Sequence, residues 1–409
     1  MKRIVIIGGG PAGMMAGIFA KDTNTKVVLV EKNEKLGKKL YITGKGRCNV
    51  TNETDLYGFM DNVVTNPKFL FASVSSFLPQ DTISFFENNG LKLKTERGKR
   101  VFPLSDKASD VTKTLENALN KLGVEILTGT TVKSIICRDG EIKGVLTDKG
   151  EIQADKVIVC TGGVSYSLTG STGDGYKFAK QFGHSIVPPK SALSGIETAN
   201  LPLKDLQGLS LKNVKLTAKS NEKIVYSCMG EALFTHFGVS GPIVLSCSSV
   251  INKLDLKNVK LFIDFKPALD ETTLDNRLIR DFANDNNKNF QTVLRGLVPR
   301  NLVAEIIRRT SVSPVKKCCQ ITIQERKKIV SVLKNFEIII KGLRDIEEAI
   351  VTSGGINVKE INPKTMESKL IKGLFFAGEV IDVDAFTGGF NVQIAFSTGF
   401  LAGKSAKEI

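Results

Sequence analysis

Near the start of the chain, Gly8-Gly9-Gly10-Pro11-Ala12-Gly13 forms a G-x-G-x-x-G between an apolar run and a helical one. Gly8 permits a tight turn, Gly10 lets backbone approach a pyrophosphate, and Gly13 lets the helix pack close to the strand. The helix would then offer free N–H groups and the positive end of its dipole to phosphates. Taken alone, the pattern is also that of an ordinary glycine turn. Glu31 strengthens it: this acid ends the next apolar run 21 residues past Gly10, the spacing of a ribose-binding carboxylate. An acid there favours a dinucleotide with a free 2′-OH, which FAD and NAD have and NADP lacks.

Three further segments bear on the choice between FAD and NAD. Ile42-Thr-Gly-Lys-Gly-Arg-Cys-Asn-Val-Thr-Asn52 packs donor side chains and two glycines into a loop after the second strand, suited to wrapping a bulky cofactor. Gly373–Glu379 is an apolar strand ending in Gly378-Glu379, where a carboxylate can accept hydrogen bonds from a ribityl chain. Thr387-Gly-Gly-Phe-Asn-Val-Gln393 opens a small-residue helix whose N-terminus would face an anion, as suits the pyrimidine end of a reduced flavin. A glycine turn leading into a core helix is the alternative for this last segment.

Few groups are suited to proton transfer. His236, in Phe234-Thr-His-Phe-Gly238, is a candidate proton donor or substrate orienter, with a loop-capping role as the alternative. His184 follows Gly183 ahead of an apolar strand and reads as structural. Cys48 has no C-x4-C partner for a dithiol relay and reads as a packed loop cysteine. Cys318-Cys319 lies in a helical region with no evident chemistry. Arg47 and Arg100 could meet an anionic substrate or phosphate, or close a salt bridge. No metal site is expected from two histidines and seven cysteines without a C-x-x-C, and the odd cysteine count argues for a reducing, cytoplasmic setting.

These groups need a scaffold. Arg3–Ile7, Pro11–Lys21 and Lys26–Val30 read as strand, helix and strand, without the polar alternation of a half-exposed sheet. Residues 32–66 read as an ordered loop. Helices are expected at Phe69–Leu78, Thr82–Asn88 and Lys107–Leu122, the last capped by Ser105 or Asp106. Hairpin turns fall at Asp139-Gly140 and Lys149-Gly150, and Val157–Cys160 is a buried strand. After Pro188-Pro189 the texture changes: short alternating strands such as Val214–Ala218 and Val259–Phe265 precede a charged helical stretch over residues 270–335. Glycine-rich strand-and-loop texture returns from Val351. The expected class is α/β: a domain assembled from both chain ends, residues 1–193 and 344–409, around an insert at 194–343 that is β-rich over 194–267 and helical over 268–343.

Among 409 residues, 57 Lys and Arg against 42 Asp and Glu leave a formal +15, with 42% hydrophobic residues. This excludes disordered, collagen-like and disulfide-scaffold classes. The basic residues are spread along the chain without a block, so a solvated surface is favoured over a nucleic-acid footprint. No apolar run is long enough to span a membrane.

GGGPAG near Gly8, VVLVEKNEKLGKKLYITGKGRCNVTN from Val27 and VIVCTGG from Val157 resemble the FAD-binding half of glutathione-reductase-type flavoproteins. GSTGDGYKFAK from Gly170 resembles the T-G-D-G segment of the fumarate reductase and aspartate oxidase group. With GEALFTHFGVSGP from Gly230 and the block from Val351 to Gly399, they resemble more narrowly the bacterial FAD-dependent family that includes aminoacetone oxidase and bile-acid 3-dehydro-Δ4,6-reductase-type proteins. The resemblance is weakest over residues 265–345. It implies a Rossmann-like FAD-binding domain, with a parallel sheet, helices and an antiparallel β-meander. It places Gly8, Gly10, Pro11, Ala12 and Gly13 on the FAD pyrophosphate and Glu31 on the adenosine ribose. Lys32, Lys38, Lys39, Gly46, Arg47, Cys48 and Asn49 would lie along the cofactor, with Gly162 after the buried strand, and the backbone of Val132 would meet adenine. Gly378 and Glu379 would face the ribityl chain, where many relatives carry Asp, with Asp382 sharing that role. Gly389, Phe390, Asn391 and Val392 would border the isoalloxazine.

The implied activity is FAD-dependent oxidation or reduction of a small organic molecule, by hydride transfer at flavin N5, with His236 assisting and the insert roofing the flavin. Amine oxidation with O2 and reduction of a conjugated enone both remain open at this point. Any NAD(P)H would bind transiently, because the insert has no second fingerprint. The competing reading is an RNA-interacting flavoprotein related to tRNA-modifying enzymes, motivated by the +15 charge. Nothing in the sequence specifies an oligomeric state.

Overall fold

The computed structural model describes residues 1–409. The first apolar run, Lys2–Ile7, is the middle strand of a five-stranded parallel sheet ordered Leu374–Phe376, Lys156–Val159, Lys2–Ile7, Thr25–Val30, Glu125–Leu127. Ile4 pairs with Val27 on one side and Lys156 on the other, and Val157 pairs with Leu374. Ile6, Leu29, Ile158 and Phe375 share one face and Val5, Val157 and Leu374 the other, and all are buried, which explains the unbroken apolar runs: both sheet faces are covered. The first helix, Pro11–Ala20, packs along the last, Phe390–Glu408. A Cβ on Gly399 or Gly403 of the last helix would collide with the carbonyl oxygens of Ala12 and Ala16, so two small-residue stripes let these backbones touch. Phe19 and Phe400 extend the contact with ring centroids 4.6 Å apart.

The chain divides into two units, one comprising Met1–Ala192 with Ile346–Ile409 and the other Leu193–Asp345. The first also holds the meander Val132–Arg138, Glu141–Thr147, Gly150–Gln153. A second small sheet orders Thr51–Asn52, Arg100–Pro103 and Leu93–Glu96, and Ile186–Ala192 pairs with Val351–Ile356. The expected loop at 32–66 contains regular pieces: a 3-10 segment at Leu40–Gly46, the strand Thr51–Asn52 and the helix Leu56–Met60. The expected caps of the Ala108–Lys121 helix are corrected. Lys107 is its N-cap and supplies no side-chain bond. Ser105 Oγ donates to Asp110 instead, and Asp106 binds Arg47 and Lys94.

The second unit is built on a closed six-stranded barrel ordered Ile196–Thr198, Gly238–Ser240, Lys223–Phe234, Ser210–Ser220, Val259–Asp264, Phe336–Leu343. Helices Glu271–Asn284, Val303–Thr310 and Ile323–Lys334 share its apolar core. The expected helical stretch to residue 343 is corrected: helix ends at Lys334, and after one residue the chain becomes the strand that closes the barrel against Ile196–Thr198. No helix is long and apolar enough to cross a membrane.

Candidate functional site

The glycine loop connects the central strand Lys2–Ile7 to the helix Pro11–Ala20. Gly8 takes φ +104°, and a Cβ there would sit 2.5 Å from Cys160 O. At Gly13 a Cβ would overlap Gly8 O, so helix and turn are in direct backbone contact. A Cβ on Gly10, by contrast, would meet nothing within 4 Å, leaving its backbone approachable. The helix has no side-chain cap, and its first internal bond is Met14 N–H to Gly10 O at 2.9 Å. The preceding N–H groups therefore remain for an anion. Glu31 is buried and grips this loop: Oε2 accepts from Gly9 N–H at 2.7 Å, and Oε1 accepts from Asn33 N–H at 2.8 Å and Nδ2 at 2.7 Å. Val132 begins the meander just beyond Thr130, whose N–H donates to Glu31 O at 3.0 Å. The expected adenine strand thus lies beside the expected ribose acid.

At the other end of the same unit, Gly389 caps the last helix with φ +96° and no side-chain bond. A Cβ there would lie 2.5 Å from the Thr51 backbone, and Asn52 Nδ2 donates to Gly388 O at 3.0 Å. The loop from residue 42 and this helix N-terminus are therefore neighbours. The first internal bond, Gln393 N–H to Gly389 O, leaves the backbone N–H groups of Phe390, Asn391 and Val392 uncommitted. Their side chains do other work. Phe390 is buried, edge-on to Phe59 at 5.4 Å. The Asn391 amide is spent on Ala385 and on Phe386 O, and Val392 packs on the core.

Glu379, beside Gly378, is braced by three other segments. Its Oε1 accepts from Lys39 Nζ at 3.0 Å, Ser165 Oγ at 3.0 Å and Thr352 N–H at 2.8 Å, and Oε2 takes only Lys39 Nζ at 2.8 Å. Oε2 therefore retains acceptor capacity for a hydroxyl. Tyr176 lies near this turn with its hydroxyl buried and unpartnered, and burial, then the charges of Glu379 and Asp382, push its pKa up. Asp382 accepts from Asn66 Nδ2 at 3.0 Å, so its carboxylate serves a different contact from that of Glu379.

The remaining expected residues are dispersed along the unit. Lys32 is tied to Thr172 and Asp174 of the T-G-D-G segment at 2.5 and 2.7 Å. Lys38 reaches Asn33 and Leu168 O, and Gly162 turns with φ +73° against Ser171. Arg47, expected on phosphate or substrate, is instead held by Glu96 and Asp106 and lies 4.2 Å from the Phe102 ring centroid. It thus closes the salt bridge that was the alternative. Gly46 is exposed, and Cys48 is fully buried, which pushes its thiol pKa up to about 12. Asn49 has a buried Oδ1 with no partner.

His236 lies in the second unit, in the exposed turn between Lys223–Phe234 and Gly238–Ser240, edge-on to Phe237 at 5.1 Å. His184 is buried in the first unit. Ser368 Oγ accepts from Leu370 and Ile371 N–H, so it must donate to His184 Nε2 at 2.8 Å, which puts the histidine proton on Nδ1, 3.3 Å from Glu360. Burial lowers the His184 pKa, against the pull of Glu360.

Sequence reasoning missed Ser165, Thr352, Asn33 and Tyr176. Only Asn33, two residues from Glu31, carried a local signal. Two uncapped helix N-termini, an approachable Gly10, the free side of Glu379 and the orphaned Asn49 oxygen suit an elongated dinucleotide with phosphate, hydroxyl and N–H groups.

The model of the HI0933-like protein Rossmann domain matches residues 2–405. The 3-dehydro-bile acid delta(4,6)-reductase of Clostridium scindens is 30% identical over the whole of both chains. The ribosomal RNA dihydrouridine synthase of Haemophilus influenzae is 29% identical over 97% of this chain and 96% of that protein. Among solved structures, the 3-ketosteroid-delta4-(5alpha)-dehydrogenase of Rhodococcus jostii RHA1 superposes with a TM-score of 0.54 at 14% identity, covering 99% of this chain and 97% of that one. At that identity the likeness is one of fold.

Proposed function

We propose that this chain, which belongs to the HI0933-like Rossmann-domain family, reduces a carbon–carbon double bond conjugated to a carbonyl group. Its family is one of FAD-dependent oxidoreductases, and the site in the end-to-end unit fits that cofactor. The observation that supports the direction is the pair of full-length relatives. A Δ4,6 reduction of a 3-dehydro-bile acid and the formation of dihydrouridine are the same kind of bond change, saturation of an alkene conjugated to a carbonyl.

Bound FAD supplies the two-electron redox chemistry at its N5. The chain's own residues bind and orient. The N–H groups after Gly10 hold phosphate, Glu31 accepts from ribose, and Glu379 Oε2 accepts from the ribityl chain while Lys39 balances its charge. The N-terminus of Phe390–Glu408 holds negative charge at the pyrimidine end of the ring. His236, exposed and free of a hydrogen-bonded partner, delivers the proton that the α-carbon of the substrate needs. NADH or NADPH is the electron donor, binding transiently.

The leading substrate is a small enone. The second reading, a uracil ring in RNA, is favoured by the 29% identity to the dihydrouridine synthase and by the +15 charge. The test is anaerobic: NADH or NADPH should bleach the flavin band at about 450 nm, and a conjugated enone should restore it. Protein that stays colourless after reconstitution with FAD overturns the cofactor assignment. Bleaching by an amine, with no reoxidation by enones, overturns the direction. His236→Asn should slow reoxidation by the enone and leave bleaching by the nicotinamide unchanged.

A further inference from the structure

The smaller unit carries 24 Lys and Arg against 15 Asp and Glu, a formal +9, whereas the larger one carries 33 against 27, a formal +6. Part of this excess lies on one face of the barrel. Along Ser210–Ser220, Leu211, Val214, Leu216 and Ala218 are buried, so Lys215, Thr217 and Lys219 face outward. The register then builds three outward rows. Ile224, Lys219, Lys260 and Ile339 form the first; Ser227, Thr217, Phe262 and Glu337 the second; Met229, Lys215 and Asp264 the third.

Phe262 sits at the centre of this face with lysines around it, and Lys219 Nζ lies 5.2 Å from its ring centroid. Of the two carboxylates, Asp264 is already bound by Lys334 at 2.6 Å and Glu337 faces Lys260 at 3.9 Å. Ile224, Met229 and Ile339 are at least half exposed. None of these residues is among those assigned above to the flavin or to the enone.

We propose that this barrel face docks single-stranded RNA, with Phe262 as a stacking platform for a base and Lys215, Lys219 and Lys260 as phosphate partners. The inference rests on the uridine form of the reduction proposed above. An aromatic ring amid cations on the strand face of a small barrel matches the two chemistries of a single strand, a π-face and a chain of phosphates. An acidic peptide would use the lysines and leave the ring without a role. The stripe is absent from the linear sequence because Lys219 and Lys260 stand on different strands, 41 residues apart.

The test titrates FAD-loaded full-length protein into a fluorescein-labelled single-stranded oligoribonucleotide and reads anisotropy. Three phosphate contacts predict binding at about 50 mM salt that weakens roughly 20-fold at about 200 mM. In Lys219→Gln/Lys260→Gln the same salt step should weaken binding only about 3-fold. Phe262→Leu should weaken binding about 5- to 100-fold and leave the salt slope unchanged. Each variant must keep the flavin spectrum and its bleaching by NAD(P)H, which shows that it is folded.

No binding by the unaltered protein at low salt, or variants that bind as it does, overturns the proposal. So does residue-dependent binding to phosphatidylglycerol vesicles with none to RNA, or a self-associated state that the variants dissolve. Reoxidation by an enone without RNA binding ends this inference and leaves the reductase reading intact. RNA binding without flavin turnover does the reverse.

Discussion

Replacing Glu31 by Gln separates its two tasks, holding the glycine loop and receiving a ribose. The carboxylate is an acceptor at both oxygens, one facing Gly9 N–H and the other facing the two donors of Asn33. An amide keeps one oxygen and turns an NH2 toward a donor whichever way it sits. In the better orientation the oxygen serves Asn33, and the buried Gly9 N–H faces another donor. Leaving such a group unpaired costs about 1–3 kcal/mol, toward the upper end because the lost bond was charge-assisted. For a unit of this size that is roughly 2–4 °C of melting temperature per kcal/mol. FAD-free protein should therefore melt several degrees lower in Glu31→Gln, before any cofactor effect. FAD affinity, read by flavin fluorescence, should fall about 10-fold or more, since about 1.4 kcal/mol of lost interaction is tenfold. A variant whose FAD-free form melts with the unaltered protein would show that the Gly9 bond does not hold the loop, and the reasoning would fail there.

Four further outcomes follow from the same kind of accounting. Gly399→Val should destabilise the protein by at least about 1–3 kcal/mol in urea unfolding and lower its FAD content, because the new side chain meets the Ala12 backbone; an unchanged midpoint would refute the close helix contact. His184 has a lowered folded-state pKa, so the unfolded chain binds its proton first as pH falls below about 6.5. The stability of the unaltered protein should hence drop between about pH 6.5 and 5 by more than that of His184→Gln, measured as urea midpoints, and equal slopes would remove the assignment. Cys48, fully buried with its pKa raised to about 12, should resist iodoacetamide in the native protein while exposed Cys319 reacts, as read by mass spectrometry. Asn49→Leu should raise the melting temperature of the FAD-free protein by removing an unpaired buried oxygen and should weaken FAD binding; a lower melting temperature would mean that the oxygen is not orphaned.

What was legible in the sequence was what short-range rules dictate. Gly8, Gly10 and Gly13 are spaced by a turn and a helix start, so their meaning survives without tertiary context, and the continuous apolar strands announced a doubly covered parallel sheet. The Glu379 brace was not legible, because Lys39, Ser165 and Thr352 reach it from three distant segments and none has a local reason to be there. The closing barrel strand was hidden by its neighbour. A charged helix runs to Lys334, and the alternation of Phe336 and Ile338 with Glu337 and Ile339 begins one residue after it ends. Side-chain direction was also out of reach: the glycine before Phe390 marks a helix start, yet nothing local says that the ring turns inward to Phe59 or that Asn391 ties down its own approach loop.

The central strand of the parallel sheet is made on the ribosome well before its edge strand Leu374–Phe376 and covering helix Phe390–Glu408. The nascent segment that carries the glycine loop therefore leaves the exit tunnel with its apolar strands and its first helix uncovered, and stays so until that strand and that helix have been made. Synthesis of Phe390–Glu408, rather than emergence of the glycine loop, becomes the event that permits flavin capture. A chain that stops short of Phe390–Glu408 would lack colour and be recognised by proteases.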